Sequence, residues 1–75
     1  MYVAYSIVSA TNGRVIFTTL SEAQAVGRWD PGTWLGSGRG MTKEAAKDNA
    51  KDNGIKQYEK YVSHNGKYRG TGIIG

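Results

Sequence analysis

Residues 36–47, GSGRGMTKEAAK, place three glycines and an arginine directly before a threonine and a lysine. Glycines let backbone N–H groups approach an anion, and the start of a helix carries about half a positive charge. The stretch therefore favours contact with phosphate. It is not a nucleotide-triphosphate loop, because Thr42 precedes Lys43 where that motif needs the reverse order. It is not a dinucleotide fingerprint either, because Met41 stands where that motif needs glycine.

The basic residues are unevenly distributed along the chain. The net charge is +4; residues 38–75 carry eight Lys and Arg against four Asp and Glu, whereas residues 1–37 carry two of each class. Such an excess favours a polyanionic partner such as nucleic acid, although a solubilising surface explains it equally well. We predict phosphate contacts from seven cations: Arg39, Lys43, Lys47, Lys56, Lys60, Lys67 and Arg69.

Large aromatic side chains form two groups. Trp29 and Trp34 flank the turn sequence Asp30-Pro31-Gly32, and three tyrosines are interleaved with the lysines near the C-terminal end. Exposed aromatics of this kind anchor protein partners or stack on bases. Because the chain has few other large apolar groups, we also expect at least one tryptophan in the core. The predicted interaction residues are Trp29, Trp34, Tyr58, Tyr61 and Tyr68.

Other chemistry has little support in the sequence. There is no cysteine, and the single histidine, His64, adjoins a turn without a second candidate ligand. No carboxylate pair or nucleophile and base stand together in an evident cleft. We therefore predict no catalytic residues, no metal and no cofactor. No stretch approaches the roughly 18 apolar residues of a membrane span, so we expect a cytoplasmic protein without membrane contact; its oligomeric state stays open.

The first element predicted is a β-hairpin. Asn12-Gly13 separates two β-branched and aromatic runs, which is typical of a two-residue type I′ turn. That turn sets the expected pairs: Ala10 with Val15, Val8 with Phe17, and Tyr5 with Leu20. One face would carry Val3, Tyr5, Ile7, Ile16 and Leu20, and the other Ala4, Val8, Val15 and Phe17. We expect the first face to form the core.

Two helices are expected next. Ser21 and Gln24 have the spacing of a capping box and begin a short helix at about 21–28. Residues 30–40 read as a loop enclosing a short strand at 33–35. Thr42 is positioned to cap a main helix at about 42–53, which Asn53-Gly54 would end. Within it, Glu44 with Lys47 and Asp48 with Lys51 are spaced for ion pairs.

Asn65-Gly66 indicates a second hairpin between residues 58–63 and 67–74. Together these elements predict one small α+β domain over residues 1–75, with an antiparallel sheet made of two hairpins and the main helix packed on it.

Residues 33–55 resemble the C-terminal half of a double-stranded RNA-binding domain, in which the last strand runs through glycines into the second helix. The residues that match are Gly38, Gly40, Thr42, Lys43, Ala46, Lys47 and Ala50. In that family the lysines and the helix start contact phosphates across a groove of A-form RNA. The resemblance implies phosphate contact by Lys43 and Lys47.

A looser likeness, without a defining motif, is to small phage proteins that inhibit host machines, such as anti-CRISPR proteins and RNA polymerase inhibitors. It rests on size, the absence of cysteine, the α+β layout and the basic charge. It implies a partner protein, a CRISPR effector or RNA polymerase, in place of a nucleic acid. Both hypotheses describe a binding protein rather than an enzyme.

Overall fold

The computed structural model of the chain describes residues 1–63, with side chains described through residue 60. The elements are β1 (Tyr2–Ser9), β2 (Val15–Thr19), α1 (Glu22–Arg28), β3 (Thr33–Gly40) and α2 (Lys43–Ser63). The three strands form one antiparallel sheet in the order β2-β1-β3. The α+β class is therefore confirmed. The prediction of two hairpins is wrong, since β3 supplies the third strand.

The first hairpin has a longer loop than the two-residue turn predicted. Ser9 donates its N–H to the Arg14 carbonyl at 2.8 Å, and Gly13 donates its N–H to the Ser9 carbonyl at 2.9 Å. Gly13 has a φ of 73°, a left-handed conformation that glycine adopts without strain. The Asn12 side chain accepts a hydrogen bond from the Arg14 N–H, which also stabilises the loop.

This loop shifts the register of β1 against β2. Ile7 pairs with Phe17 and Tyr5 with Thr19, and an irregularity follows Ile7. A shift of one residue moves side chains to the other face, so Phe17 lies with Ile7 rather than with Val8 as predicted.

The choice of a single core face is also wrong, because helices bury side chains on both faces of β1. Val3, Ile16 and Leu20, which we expected in the core, are 39%, 57% and 37% exposed. Ala4, Ser6 and Val8, which lie on the other face from Tyr5 and Ile7, are fully buried.

The face of β1 that carries Ala4, Ser6 and Val8 lies against α2. Ala4 packs on Ala46 and Ala50, and all three are fully buried. The Ser6 hydroxyl donates a buried hydrogen bond of 2.6 Å to the Ala50 carbonyl. Small side chains on both elements let the helix axis approach the sheet closely.

The predicted end of the main helix at Asn53-Gly54 is wrong, since α2 continues to Ser63. Gly54 is buried against β1, where an added Cβ would lie 2.6 Å from Val8 Cγ2 and 2.7 Å from Ser6 Oγ. Asn53 donates its side-chain N–H to the Ser37 carbonyl on β3. The two residues thus serve packing rather than termination. Residues 58–63 are helical instead of a strand, and the rest of the second predicted hairpin lies outside the described residues.

The short helix is confirmed as α1. Gln24 donates its N–H to the Ser21 hydroxyl, and Ala25 is buried against Ile7 and Leu35 on the face opposite α2. The turn that follows is closed by Asp30, whose side chain accepts from the Gly32 N–H at 2.7 Å. Thr33 then begins β3.

Candidate nucleic-acid interface

The glycines of residues 36–40 lie in β3 and pack against α2. A Cβ on Gly36 would lie 2.5 Å from the Gly54 backbone nitrogen, and one on Gly40 would lie 2.5 Å from that of Ala46. A Cβ on Gly38 would overlap the backbone of Asn49 and Ala50. The predicted loop over residues 36–40 is therefore wrong, because these residues belong to β3. These glycines permit close contact between strand and helix and do not form a phosphate cradle.

The start of α2 is built as predicted. The Thr42 hydroxyl accepts a hydrogen bond of 3.0 Å from the Ala45 N–H, and the Thr42 carbonyl accepts one from Ala46. This caps the helix, because N–H groups of the first turn gain acceptors that the helix itself cannot supply. Lys43 and Lys47 follow, one turn apart, so their side chains lie on neighbouring parts of the helix surface.

Neither lysine forms an ion pair with the side chains of residues 1–60. Asp48 and Lys51 do pair, at 3.9 Å, as predicted; the expected pair of Glu44 with Lys47 does not form. The Lys43 ammonium lies 5.9 Å from the centre of the Tyr2 ring, within the range of a cation–π contact. Glu44 is exposed in the same first turn and lowers the positive potential there.

Arg39 lies near the end of β3, shortly before α2 begins. Its neighbours Gly38 and Gly40 face α2, so alternation along β3 places the exposed Arg39 side chain on the opposite face of the sheet. Two residues, Met41 and Thr42, separate β3 from α2. Arg39 thus lies at the end of β3 on one face of the sheet, and Lys43 and Lys47 lie in the first two turns of α2 on the other face. We call these three cations the β3–α2 corner.

Lys56 and Lys60 do not join that corner. Nine residues separate Lys47 from Lys56, which at about 100° per residue turns their side chains to opposite sides of α2. The side chains of Asn49 and Asn53 donate hydrogen bonds to the Arg39 and Ser37 carbonyls, so this side of α2 lies along the outer edge of β3. Helix periodicity places Lys56 and Lys60 on the same side of α2. Within residues 1–60, the cations predicted to contact phosphate therefore form two groups. Lys67 and Arg69 lie outside the described residues.

The predicted aromatic anchors differ in their burial. Trp34 is 2% exposed and packs with Val8, so its role as a surface anchor is wrong and the expectation of a core tryptophan is confirmed. Tyr58 lies in α2, half-buried against the same pair. Trp29 is half-buried beside Ile7 and Leu35. Tyr68, His64 and the side chain of Tyr61 lie outside the described residues.

Two tyrosines near this corner were not predicted as site residues. Tyr2 is 42% exposed beneath Lys43, and Tyr5 is half-buried on the sheet face that carries Arg39. The sequence assigns both to a hairpin, but only the pairing of β1 with β3 brings them next to Arg39 and α2. The sequence does not predict that pairing, because the glycines of residues 36–40 favour a loop over a strand.

A second concave surface lies between β2 and the end of α1. Phe17 and Trp29 line a groove of about 290 Å³, with Ile16 at its rim. The Arg28 guanidinium stacks 4.0 Å from the centre of the Phe17 ring. Val26, in α1, is 50% exposed. The groove is mainly apolar and lies on the sheet face opposite α2.

None of the helices in residues 1–63 combines the length and the apolar composition of a membrane span. Comparison with protein-family models, with curated proteins and with solved structures found no match for this chain. The β3–α2 corner and the groove are therefore the two candidate sites among the described residues.

Proposed function

We propose that this chain is a non-enzymatic module that binds the phosphate backbone of a nucleic acid at the β3–α2 corner, without reading base identity. The observation that carries the proposal is the placement of Lys43 and Lys47 in the first two turns of α2, with no acidic partner within 4 Å among the described side chains. At this end of a helix the free N–H groups add positive potential, which strengthens the attraction for phosphate.

The resemblance to a double-stranded RNA-binding domain gives the same residues the same role. Thr42 starts the helix, and Lys43 and Lys47 follow it at the matching positions. Phosphate contact supplies affinity without sequence information, since every nucleotide carries the same group. The proposal therefore predicts binding with little dependence on base sequence and strong dependence on salt.

Fluorescence anisotropy with labelled double-stranded RNA, double-stranded DNA and single strands tests this at two salt concentrations. If three phosphates are neutralised, the affinity for duplex should fall roughly 40-fold between 50 and 200 mM salt. Exchange of Lys43 and Lys47 together to Glu should abolish binding. The matched control is the exchange of Lys56 and Lys60 to Glu, which changes the net charge equally on the other side of α2 and should retain most of the affinity.

Glu44 supplies an opposite test of the same corner. Glu44→Gln removes a carboxylate from the first turn of α2 and should tighten binding, because the phosphate then meets a more positive surface. Equal losses in the two double-lysine variants would show that only total charge matters. Absence of any binding at 50 mM salt would end the proposal.

A second candidate function is inhibition of a host nucleic-acid machine through protein contact, in line with the likeness to small phage inhibitors. The groove between Phe17 and Trp29, which the exposed Ile16 also lines, favours it. Capture of a partner from a host lysate should then survive nuclease treatment. It should be lost in the variant with Ile16 changed to Glu, and kept in the variant with Lys43 and Lys47 changed to Glu.

A further inference from the structure

The sheet face opposite α2 is only partly covered by the described elements. α1 stands over Ile7 and Leu35 at one end of this face, where Ala25 closes the cluster. Toward the other end, β1 and β3 pair Tyr5 with Ser37 and Val3 with Arg39. Val3 is 39% exposed and Arg39 is exposed, whereas Tyr5 is half-buried because it packs in part against the cluster under α1. We call these four residues the open sheet patch.

The patch combines an aromatic ring with a cation. Tyr5 and Arg39 are diagonal neighbours across β1 and β3, and such neighbours lie about 7–8 Å apart, which long side chains can bridge. Val3 provides an apolar surface next to the guanidinium. Arg39 is also a member of the β3–α2 corner, so the patch is continuous with the proposed phosphate contacts.

We propose that the open sheet patch binds an unpaired nucleotide of a single-stranded nucleic acid, with its base stacked on Tyr5 and its phosphate beside Arg39. This inference rests on the proposed function and names its preferred ligand. In a duplex the bases already stack on one another, so a tyrosine on a flat sheet can stack only on a base that is unpaired. Stacking does not distinguish bases strongly, which agrees with contact that does not read sequence.

The charge of the patch selects a nucleic acid over an apolar protein segment as the occupant. Among its four residues Arg39 is the only charged one, and Lys43 continues the positive surface around the end of β3. A polyanion can place one phosphate at Arg39 and later phosphates at Lys43 and Lys47. The groove beside Phe17 also holds a cation, Arg28, but it lies toward Thr33 at the start of β3, away from Lys43 and Lys47.

Two measurements test the proposal. In the first, the unchanged protein is photocrosslinked to a single-stranded oligonucleotide that carries 5-iodouracil, and the crosslinked peptide is identified by mass spectrometry. A crosslink at Tyr5 supports the proposal, and a crosslink confined to residues outside the patch overturns it. This measurement needs no variant and so does not depend on the folding of one.

The second measurement compares a 12-nucleotide single strand with a 12-base-pair duplex for three proteins: wild type, Tyr5→Leu and Tyr5→Phe. The single strand should bind wild type more tightly, and Tyr5→Leu should weaken it roughly tenfold, the low to middle range for one stacked base. Tyr5→Phe should keep the affinity, because the ring remains. Circular dichroism checks that each variant is folded.

The possible failures are distinct. If the duplex and the single strand bind equally and Tyr5→Leu changes neither, the stacking inference is overturned while phosphate binding stands. If no nucleic acid binds at low salt, the proposed function fails and the inference fails with it.

Discussion

The Ser6 hydroxyl donates a hydrogen bond of 2.6 Å to the Ala50 carbonyl, and this bond is fully buried between β1 and α2. The bond joins strand and helix at the point where Gly54 leaves no room for a larger side chain. The Ser6 site therefore requires a side chain that is small and can donate a hydrogen bond.

Ser6→Ala should lower the free energy of unfolding by about 1 kcal/mol, because it removes the hydrogen bond and little volume. Ser6→Val should cost more, about 1–3 kcal/mol, since its additional methyl groups must displace Gly54. Urea denaturation measures both. A Ser6→Val protein as stable as Ser6→Ala would show that the space beside Gly54 is larger than the structure indicates.

Gly38→Ala should destabilise the protein strongly, by about 3 kcal/mol, because the new Cβ would overlap the backbone of Asn49 and Ala50. The matched control is Gly27→Ala in α1, where an added Cβ has no neighbour within 4 Å. That exchange should stabilise the protein by about 0.4–1 kcal/mol, since alanine loses less backbone entropy on folding. Thermal denaturation should move the two melting temperatures in opposite directions.

Thr42→Ala should reduce the free energy of unfolding by about 1 kcal/mol through loss of the cap on α2. Thr42→Ser keeps the hydroxyl and should restore nearly all of that stability. If alanine and serine were equivalent in chemical denaturation, the cap would contribute nothing.

Asn53→Ala should leave the Ser37 carbonyl without its helix partner and cost about 1 kcal/mol. Asn49→Ala should cost less, because that bond to the Arg39 carbonyl is exposed to water. The double variant should also self-associate more readily, since the outer edge of β3 loses its cover. Analytical ultracentrifugation measures association, with Asp52→Ala, on the exposed side of α2, as the control.

Local signals in the sequence predicted local structure well. Ser21 and Thr42 begin helices where their side chains can accept backbone N–H groups, a property that depends on a few neighbouring residues. The strands of the first hairpin were predicted for the same reason. Their register was not, because a two-residue turn at Asn12-Gly13 and the observed longer loop use the same residues.

Signals that depend on distant packing were misread. Gly54 resembles a helix end in isolation, yet contact with Val8 and Ser6 keeps it inside α2. Residues 36–40 resemble a loop for the same reason. Their glycines permit close contact with α2, and the α2 residues that they contact come later in the sequence. The candidate site depends on the same packing. Helix spacing alone places Lys43 and Lys47 one turn apart, but the separation of Lys47 from Lys56 follows only when α2 continues past Gly54.

The glycines of β3 and the small residues of α2 leave a joint record in the sequence. Gly36, Gly38 and Gly40 recur at every second residue, and Ala46, Ala50 and Gly54 follow at every fourth. The pattern G-x-G-x-G-x5-A-x3-A-x3-G therefore encodes one strand lying flush against one helix. This pattern can be used to search for related chains too divergent for an overall match, because a bulky residue at any of its Gly or Ala positions would force the strand and the helix apart.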